Sequence, residues 1–443
     1  MSGEDFVAAI RSAAPYIHAH HGRTFVVAFP GEICARPDMD QLLADIALLA
    51  SLGIRLVLVH GARPQIEAEL ALRGITSRFV ADRRVTDAAT MQAVKAAVGM
   101  LRAGIEARLV GSRAGRPQPE QPLRVVGGTW VSAQPLGVHA GVDHEYTGLV
   151  RGVAIAQIRQ ALATGQVVLI SPIGHSPVGD TYNLRNADVA EAVATSIGAD
   201  KLIFVIESEP SSWRGPFNAD GSGQLPTSTA ERLLAEEVQA RRLSAEDLNC
   251  VRAAVHACAH GVRRTHLIGP SGAGPLLQEL FTRDGCGVMI SDDGEYESTR
   301  SATLEDVAGI AELIEPLGTA GLLIPRSREQ LERDIDQFAV ITRDGEVIAC
   351  NALIPYPGEA KCELACVAVH PGHRGRDLAT ALLRRARVLA RENQFGRLFA
   401  LTTRSPGWFL EHGFTRGSRA DLPTTRQEAY DESRNSIVLL DDL

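Results

Sequence analysis

The stretch ELACVAVHPGHRGRDLATALLRRA, residues 363–386, is the most informative in the chain. It opens as an apolar strand running into Val369, His370 and Pro371. It then passes through a turn rich in Gly and Arg and continues as an amphipathic helix predicted over residues 376–391. The first N–H groups of a helix lack partners inside it and carry the positive end of its dipole. A pyrophosphate is the natural guest of such a turn, and Arg374 and Arg376 add charge of the matching sign.

The surrounding pattern is that of an α+β domain. FAVITRDGEVIACNALI (338–354) reads as a hairpin about the Asp344-Gly345 pair, and residues 361–369 form a further strand. LFALTT (398–403), a short helix and SIVLL (436–440) follow. Thr303 and Asp306 resemble a capping box before an apolar run ending at Leu317. The first 290 residues differ. TFVVAF (24–29), IRLVLV (54–59), VVLI (167–170), LIFVI (202–206), THLIG (265–269) and VMI (288–290) are near-continuous apolar strands. Helices are predicted between them at 40–52, after a cap at Thr86, at 186–197 and at 246–260. This is the pattern of an α/β domain, a mostly parallel sheet sandwiched by helices. The polar, acidic segment SDDGEYESTR (291–300) reads as a linker, which gives domains at 1–290 and 301–443.

Composition excludes some classes. A net charge of −8 and a pI near 5.9 weigh against a nucleic-acid partner. The seven cysteines are odd in number, scattered and without a CxxC, as expected of reduced thiols and no metal site. Cys362 and Cys366 are expected on one face of a strand. The N-terminus has no basic start followed by an apolar run, and no stretch is apolar enough to span a membrane. A soluble, cytoplasmic protein with no membrane partner is expected.

The turn Arg374-Gly375-Arg376-Asp377-Leu378-Ala379 resembles the acetyl-CoA loop of the GCN5-related N-acetyltransferases, Arg/Gln-x-x-Gly-x-Gly/Ala. Asp377 stands where that pattern has Gly, and its side chain crowds and repels a pyrophosphate. WFLEHGF (408–414) is similar to the family's aromatic-x-x-x-Gly-Phe element. Read together, both halves resemble the bacterial two-domain N-acetylglutamate synthase family over nearly the full length. The matching segments include GIRLVLVHGARPQI (53–66), LLQELFTRDGCGVMI (276–290), RSREQLERDIDQF (326–338) and RNS (434–436). The resemblance implies transfer of acetyl from acetyl-CoA to L-glutamate, the first step of arginine biosynthesis. It also implies an amino-acid kinase-like domain that senses L-arginine, and a homo-hexamer built through that domain. Kinase chemistry is not expected. Phe29-Pro30-Gly31-Glu32 lacks the family's Lys, His60-Gly61-Ala62-Arg63 replaces His-Gly-Gly-Gly, and Glu207-Ser208 replaces an Asp.

The resemblance also assigns roles. Glu363 would take the proton of the amine, directly or through water, and Thr402 would protonate the leaving thiolate. Backbone N–H groups near Cys366 and Val367 would receive the thioester oxygen, with Val369, Arg374, Gly375, Arg376, Asp377, Leu378 and Ala379 holding the cofactor. Arg326, Arg434, Ser436 and the backbone of Cys366 would bind the dicarboxylate. Tyr16, Lys201, His266, Glu279, Gly285 and Cys286 would form the arginine site, with Glu279 pairing the guanidinium. From the residues alone other readings stay open. Glu363 fits an exposed strand face, Thr402 a strand filler, and either Arg a surface charge worth ~0–1 kcal/mol. His266 fits the core as well as a site. A non-catalytic arginine-binding regulator, a bifunctional enzyme with a live kinase half and a transferase for another amine also remain.

Overall fold

The computed structural model describes residues 3–36, 39–112, 123–209, 223–240, 243–270, 272–282, 285–291, 297–343, 346–373 and 378–443. The chain divides into two compact units, Met1–Asp293 and Gly294–Leu443. No helix among the described residues is long and apolar enough to cross a membrane.

The N-terminal unit begins with helix α1 (Gly3–His20), strand β1 (Thr24–Phe29), α2 (Met39–Ser51), β2 (Arg55–His60) and α3 (Ala88–Gly111). There follow β3 (Val125–Gly127), β4 (Val131–Pro135), β5 (Gly148–Val153), β6 (Val167–Ile170), β7 (Ile173–His175) and β8 (Thr181–Asn183). Then come α4 (Asn186–Ile197), β9 (Lys201–Val205), β10 (Gly223–Pro226), α5 (Ala245–Ala259), β11 (Arg264–Ile268), α6 (Pro275–Phe281) and β12 (Val288–Ser291). The main sheet has the order β10-β12-β11-β9-β1-β2-β6-β3 and is parallel apart from the β11–β12 pair. Its apolar runs are continuous because both faces are covered. Val26, Val57, Val168, Leu202 and Phe204 pack in the core with α4 and α5. Phe25, Val27, Leu56, Leu58 and Ile203 point the other way, into a core with α2 and α6. A second sheet, β8-β7-β4-β5, has strands too short and polar to have stood out in the sequence. The cap of α3 is Asp87, which accepts from Thr90 N–H, and not Thr86. Thr86 is buried, and its hydroxyl oxygen accepts from Thr147 Oγ1 and Asn183 Nδ2.

The C-terminal unit contains β13 (Glu297–Ser301), α7 (Val307–Thr319), α8 (Arg328–Arg333), β14 (Phe338–Arg343), β15 (Glu346–Tyr356) and β16 (Lys361–Val369). It continues through α9 (Leu378–Glu392), β17 (Arg397–Thr402), α10 (Pro406–Glu411), β18 (Thr415–Arg416), α11 (Thr424–Glu428) and β19 (Ile437–Asp442). Its sheet order is β13-β14-β15-β16-β17-β19-β18, with only the β16–β17 pair parallel. Residues 297–300, read above as part of the linker, therefore belong with Ser301 to an edge strand. Thr303 and Asp306 form the expected capping box. β14 and β15 pair as a hairpin, though Asp344 and Gly345 lie outside the described residues. The helix predicted from 376 is described from Leu378.

One irregularity sets the shape of β16. Ala352 pairs with Ala365 and Cys350 with Ala368, so Cys366 and Val367 together oppose Asn351. Cys366 has φ +52, a left-handed conformation uncommon for a residue with a Cβ. The extra residue resets the alternation of side chains. Cys362 and Leu364 lie in the core under α9, whereas Cys366 and Ala368 lie in the core under α7. The expectation that the two cysteines share a face is thus corrected.

The β11–β12 contact offers a direct test of packing. A Cβ on Gly287 would sit 2.4 Å from the Leu267 carbonyl oxygen, which cannot swing away as a side chain would. Gly287→Ala is expected to destabilise the N-terminal unit by about 1–3 kcal/mol. The check is a lower urea midpoint at unchanged slope.

Candidate functional site

β16 and β17 pair only at Lys361↔Arg397, Cys362↔Leu398 and Glu363↔Phe399. Beyond Glu363 the strands part, and the bulge at Cys366 and Val367 lies on the β16 side of the resulting wedge. A wedge of this kind leaves strand N–H groups outside the ladder and available to an oxygen, which fits a thioester carbonyl. Val369 continues β16 opposite Ala349. The turn that follows begins with His373, fully buried, whose Nδ1 is 3.3 Å from Arg343 NH1. Arg374, Gly375, Arg376 and Asp377 lie outside the described residues. Leu378 is buried with Leu382 and Ile341, so its side chain serves the core, while Ala379 is half-buried.

Glu363 is only 5% exposed, not on an exposed strand face. Its carboxylate is held by Arg426, with Nε donating to Oε2 at 2.8 Å and NH2 to Oε1 at 3.2 Å. Tyr356 Oη donates to Oε2 at 3.4 Å. Strand parity puts Glu363 on the α7 side, opposite its neighbours Cys362 and Leu364. Thr402, two residues beyond Ala400, faces the α9 side. The Thr402 oxygen accepts from the N–H of Arg404 at 3.3 Å and of Ser405 at 3.1 Å, so its own proton remains to be donated.

The two arginines named for the dicarboxylate both meet the connection between α7 and α8. Arg326 lies on it, sets its positive charge against the Cys366 thiol and reaches Asp334 Oδ2 at 3.5 Å. Arg434 NH1 and NH2 donate to the carbonyls of Leu323 and Gly321 at 3.4 and 3.2 Å. Burial pushes the Cys366 thiol up, with the Arg326 charge opposing it. Ser436 is half-buried and its carbonyl accepts from Tyr430 Oη at 2.7 Å. Arg426 and Tyr356 were missed in the sequence. The signal was general: a buried carboxylate requires a counter-charge.

In the N-terminal unit the six residues named for arginine gather around one buried chain. Lys201 Nζ donates to His266 Nε2 at 3.2 Å, and His266 Nδ1 donates to Glu279 Oε1 at 2.6 Å. Glu279 Oε2 accepts from the N–H of Cys286 and of Gly287, both at 2.8 Å. Gly285 turns there at φ +63, where a Cβ would meet Glu279 Oε2 at 2.5 Å. Tyr16 stands 6.4 Å from the His20 ring, and His20 Nε2 is 2.9 Å from the Leu280 carbonyl oxygen. His266 is thus a core histidine within the same cluster. Elsewhere in this unit, at the carboxyl ends of β1 and β9, the carboxyls of Glu32 and Glu207 lie close enough to act on each other. Burial and the neighbouring carboxylates push Glu207 up to about 7. Asp247 accepts from the N–H of Glu207 and Ser208 at 2.9 and 3.1 Å, adding negative charge beside them.

Buried histidines give the unit a pH dependence. Burial, with Lys201 adding repulsion, brings His266 down from 6.5 to about 4. Burial likewise brings His60 to about 4. Both bind a proton more tightly when unfolded, so their contribution is whole above pH 6.5 and is lost as pH falls toward 4. Between pH 6.5 and pH 5 each should remove about 2 kcal/mol of stability. Burial brings His20 to about 4 as well, so in urea unfolding near neutral and near pH 5 His266→Asn should flatten the dependence by roughly a third.

Comparison with known proteins gives the same two-part division. The Amino acid kinase family matches residues 23–269 and the Acetyltransferase (GNAT) family residues 307–414. The chain is 44% identical over 439 residues to an amino-acid acetyltransferase of Ectopseudomonas mendocina, covering 98% of each. It is 42% identical to the one of Ralstonia nicotianae, covering 99% of this chain and 96% of the relative. Its structure is similar to N-acetylglutamate synthase from Neisseria gonorrhoeae complexed with coenzyme A and L-arginine. The TM-score there is 0.87 at 36% identity, over 99% of each chain. The same synthase complexed with coenzyme A and N-acetyl-glutamate gives a TM-score of 0.61. The chain belongs to the amino-acid acetyltransferase family, an amino-acid kinase-type domain followed by a GNAT domain, and is an acyltransferase.

Proposed function

We propose that the chain transfers the acetyl group of acetyl-CoA to the α-amine of L-glutamate, releasing CoA and N-acetyl-L-glutamate, and that L-arginine regulates it from the N-terminal unit. The observation that carries this reading is the buried carboxylate of Glu363 at the parting of β16 and β17, with Arg326 against Cys366 in the same strand. It is supported by the full-length likeness to amino-acid acetyltransferases and by the ligands of the gonococcal synthase.

In this reading Glu363 takes the proton of the α-ammonium, whose pKa of ~8 leaves most of it charged at neutral pH. The freed amine forms the new C–N bond at the thioester carbonyl. Backbone N–H groups at Cys366 and Val367 receive the negative charge that develops on the oxygen. As the C–S bond breaks, Thr402 gives its hydroxyl proton to the departing thiolate and is reprotonated, through water, by the second proton that the nitrogen sheds on becoming an amide. Arg326 and Arg434, with Ser436 beside them, hold the two carboxylates of glutamate. The start of α9 and the turn before it hold the pyrophosphate. The N-terminal unit acts without kinase activity: Glu32 and Glu207 put carboxyls where a polyphosphate needs cations. Arginine binds around Glu279 at α1 and α6, and the kinase-like units assemble as a hexamer.

CoA release from acetyl-CoA, measured with a panel of amino acids with and without arginine, tests the whole. Glutamate should dominate and arginine should change its rate; equal rates across the panel would overturn the acceptor assignment. Glu363→Gln should lower kcat by about 10²–10⁴-fold while the acetyl-CoA KM stays within about threefold. Arg434→Ala should raise the glutamate KM by about tenfold or more with kcat little changed. Unchanged glutamate dependence would remove Arg434 from the pocket.

A further inference from the structure

The contact between Glu363 and Arg426 has a geometry that matters for proton transfer. Two guanidinium nitrogens, Nε and NH2, meet the two carboxylate oxygens side by side, so the fork fixes the plane of the carboxylate. The third nitrogen, NH1, donates to the Ala429 carbonyl at 3.2 Å, which holds the guanidinium from behind. The helix that carries it is tied in turn. Thr424 N–H donates to Glu359 Oε1 at 2.7 Å, and Gln427 Nε2 to the Leu422 carbonyl at 2.8 Å. The two side chains are 13% and 6% exposed, far below the surface pairs elsewhere in the chain.

We propose that Arg426 is the positioning residue of the proton-transfer step, holding Glu363 as a carboxylate of fixed orientation with one acceptor direction left open. The inference rests on the reading of Glu363 as the base. A carboxylate offers about four acceptor sites. Arg426 takes two and Tyr356 a third, so a proton arrives along one remaining direction. Charge matters as well as direction. A base must be ionised before it can accept, and burial alone favours the protonated form. The guanidinium sets a fixed positive charge at hydrogen-bond distance from both oxygens. The charged and titratable groups around the carboxylate act in the same sense. Tyr356 on β15 is pushed up to about 12 by burial and the Glu363 charge, so it stays a donor. Arg326 lies beside Cys366 on the same strand, and Tyr430 beyond α11 faces Arg426. Three of the five guanidinium N–H groups of Arg426 are already committed within the fold.

The test is Arg426→Gln in the full chain, assayed by CoA release across pH. The expected result is a fall in kcat of about a hundredfold with the glutamate KM within about threefold. The acid limb of kcat/KM should move up by about one pH unit or more. Arg426→Lys, which keeps the charge but not the fork, should restore the acid limb and only part of kcat. In a Glu363→Gln background, Arg426→Gln should lower the rate no further, because its effect runs through Glu363. A rise in glutamate KM with kcat and pH profile unchanged would make Arg426 a substrate ligand and overturn the proposal. Fully additive losses in the double variant would overturn it too. If Arg426→Gln does not fold, Arg426→Lys and Tyr356→Phe decide by the same pH readout. Wild-type protein that releases no CoA with any amino acid sinks the functional reading and this inference with it. An active wild type with an unaffected Arg426→Gln sinks the inference alone.

Discussion

The single extra residue in β16 is the constraint on which the C-terminal unit depends. A regular strand would send Cys366 to the same side as Cys362 and keep its own N–H within the ladder. With the insertion, Cys366 adopts a left-handed conformation that costs about 1–2 kcal/mol for a residue bearing a Cβ. The burial of Cys366 and Ala368 against α7 and of Val367 and Val369 toward α9 offsets that cost. The result is a strand that belongs to the sheet at both ends yet departs from regular pairing in the middle. Its partner β17 leaves it just before that point. The wedge is therefore a product of packing on both faces and needs no loop to shape it.

Burial of carboxyl groups recurs through the molecule, and each instance is compensated differently. Glu363 faces a guanidinium. Glu279 is met by a neutral imidazole and two backbone N–H groups, which outweigh burial and bring it to about 2. Glu32 and Glu207 have no guanidinium paired to them in that way, and burial pushes both upward. The first two arrangements set a donor against each carboxylate oxygen. The third suppresses charge at the ends of strands where a phosphate donor would need the opposite sign.

Much of this was legible in the sequence where one periodicity dominated. The runs at 24–29, 54–59 and 202–206 are apolar at every position because each face of the parallel sheet is covered, so strand and sheet type followed together. The hairpin of β14 and β15 was legible from two apolar runs on either side of an Asp-Gly pair. The small sheet of β4, β5, β7 and β8 was not, because three- to six-residue strands with half-buried, polar side chains carry no period. At the candidate site, Glu363 stood out by its place on the strand before the Gly- and Arg-rich turn, and Thr402 by the family resemblance alone. Arg426 did not, since it lies 63 positions downstream in a segment with no motif. The face taken by Cys366 was misread for a related reason: a bulge is a decision of the neighbouring strand and leaves no mark in the residues that make it.

The Lys201–His266–Glu279 chain has a consequence for any effector that docks beside it. Three of the acceptor positions on Glu279 are already engaged from within the fold. A carboxylate offers about four acceptor sites, so one direction on Oε1 stays open, and any change in the other three would be felt through His266 in β11.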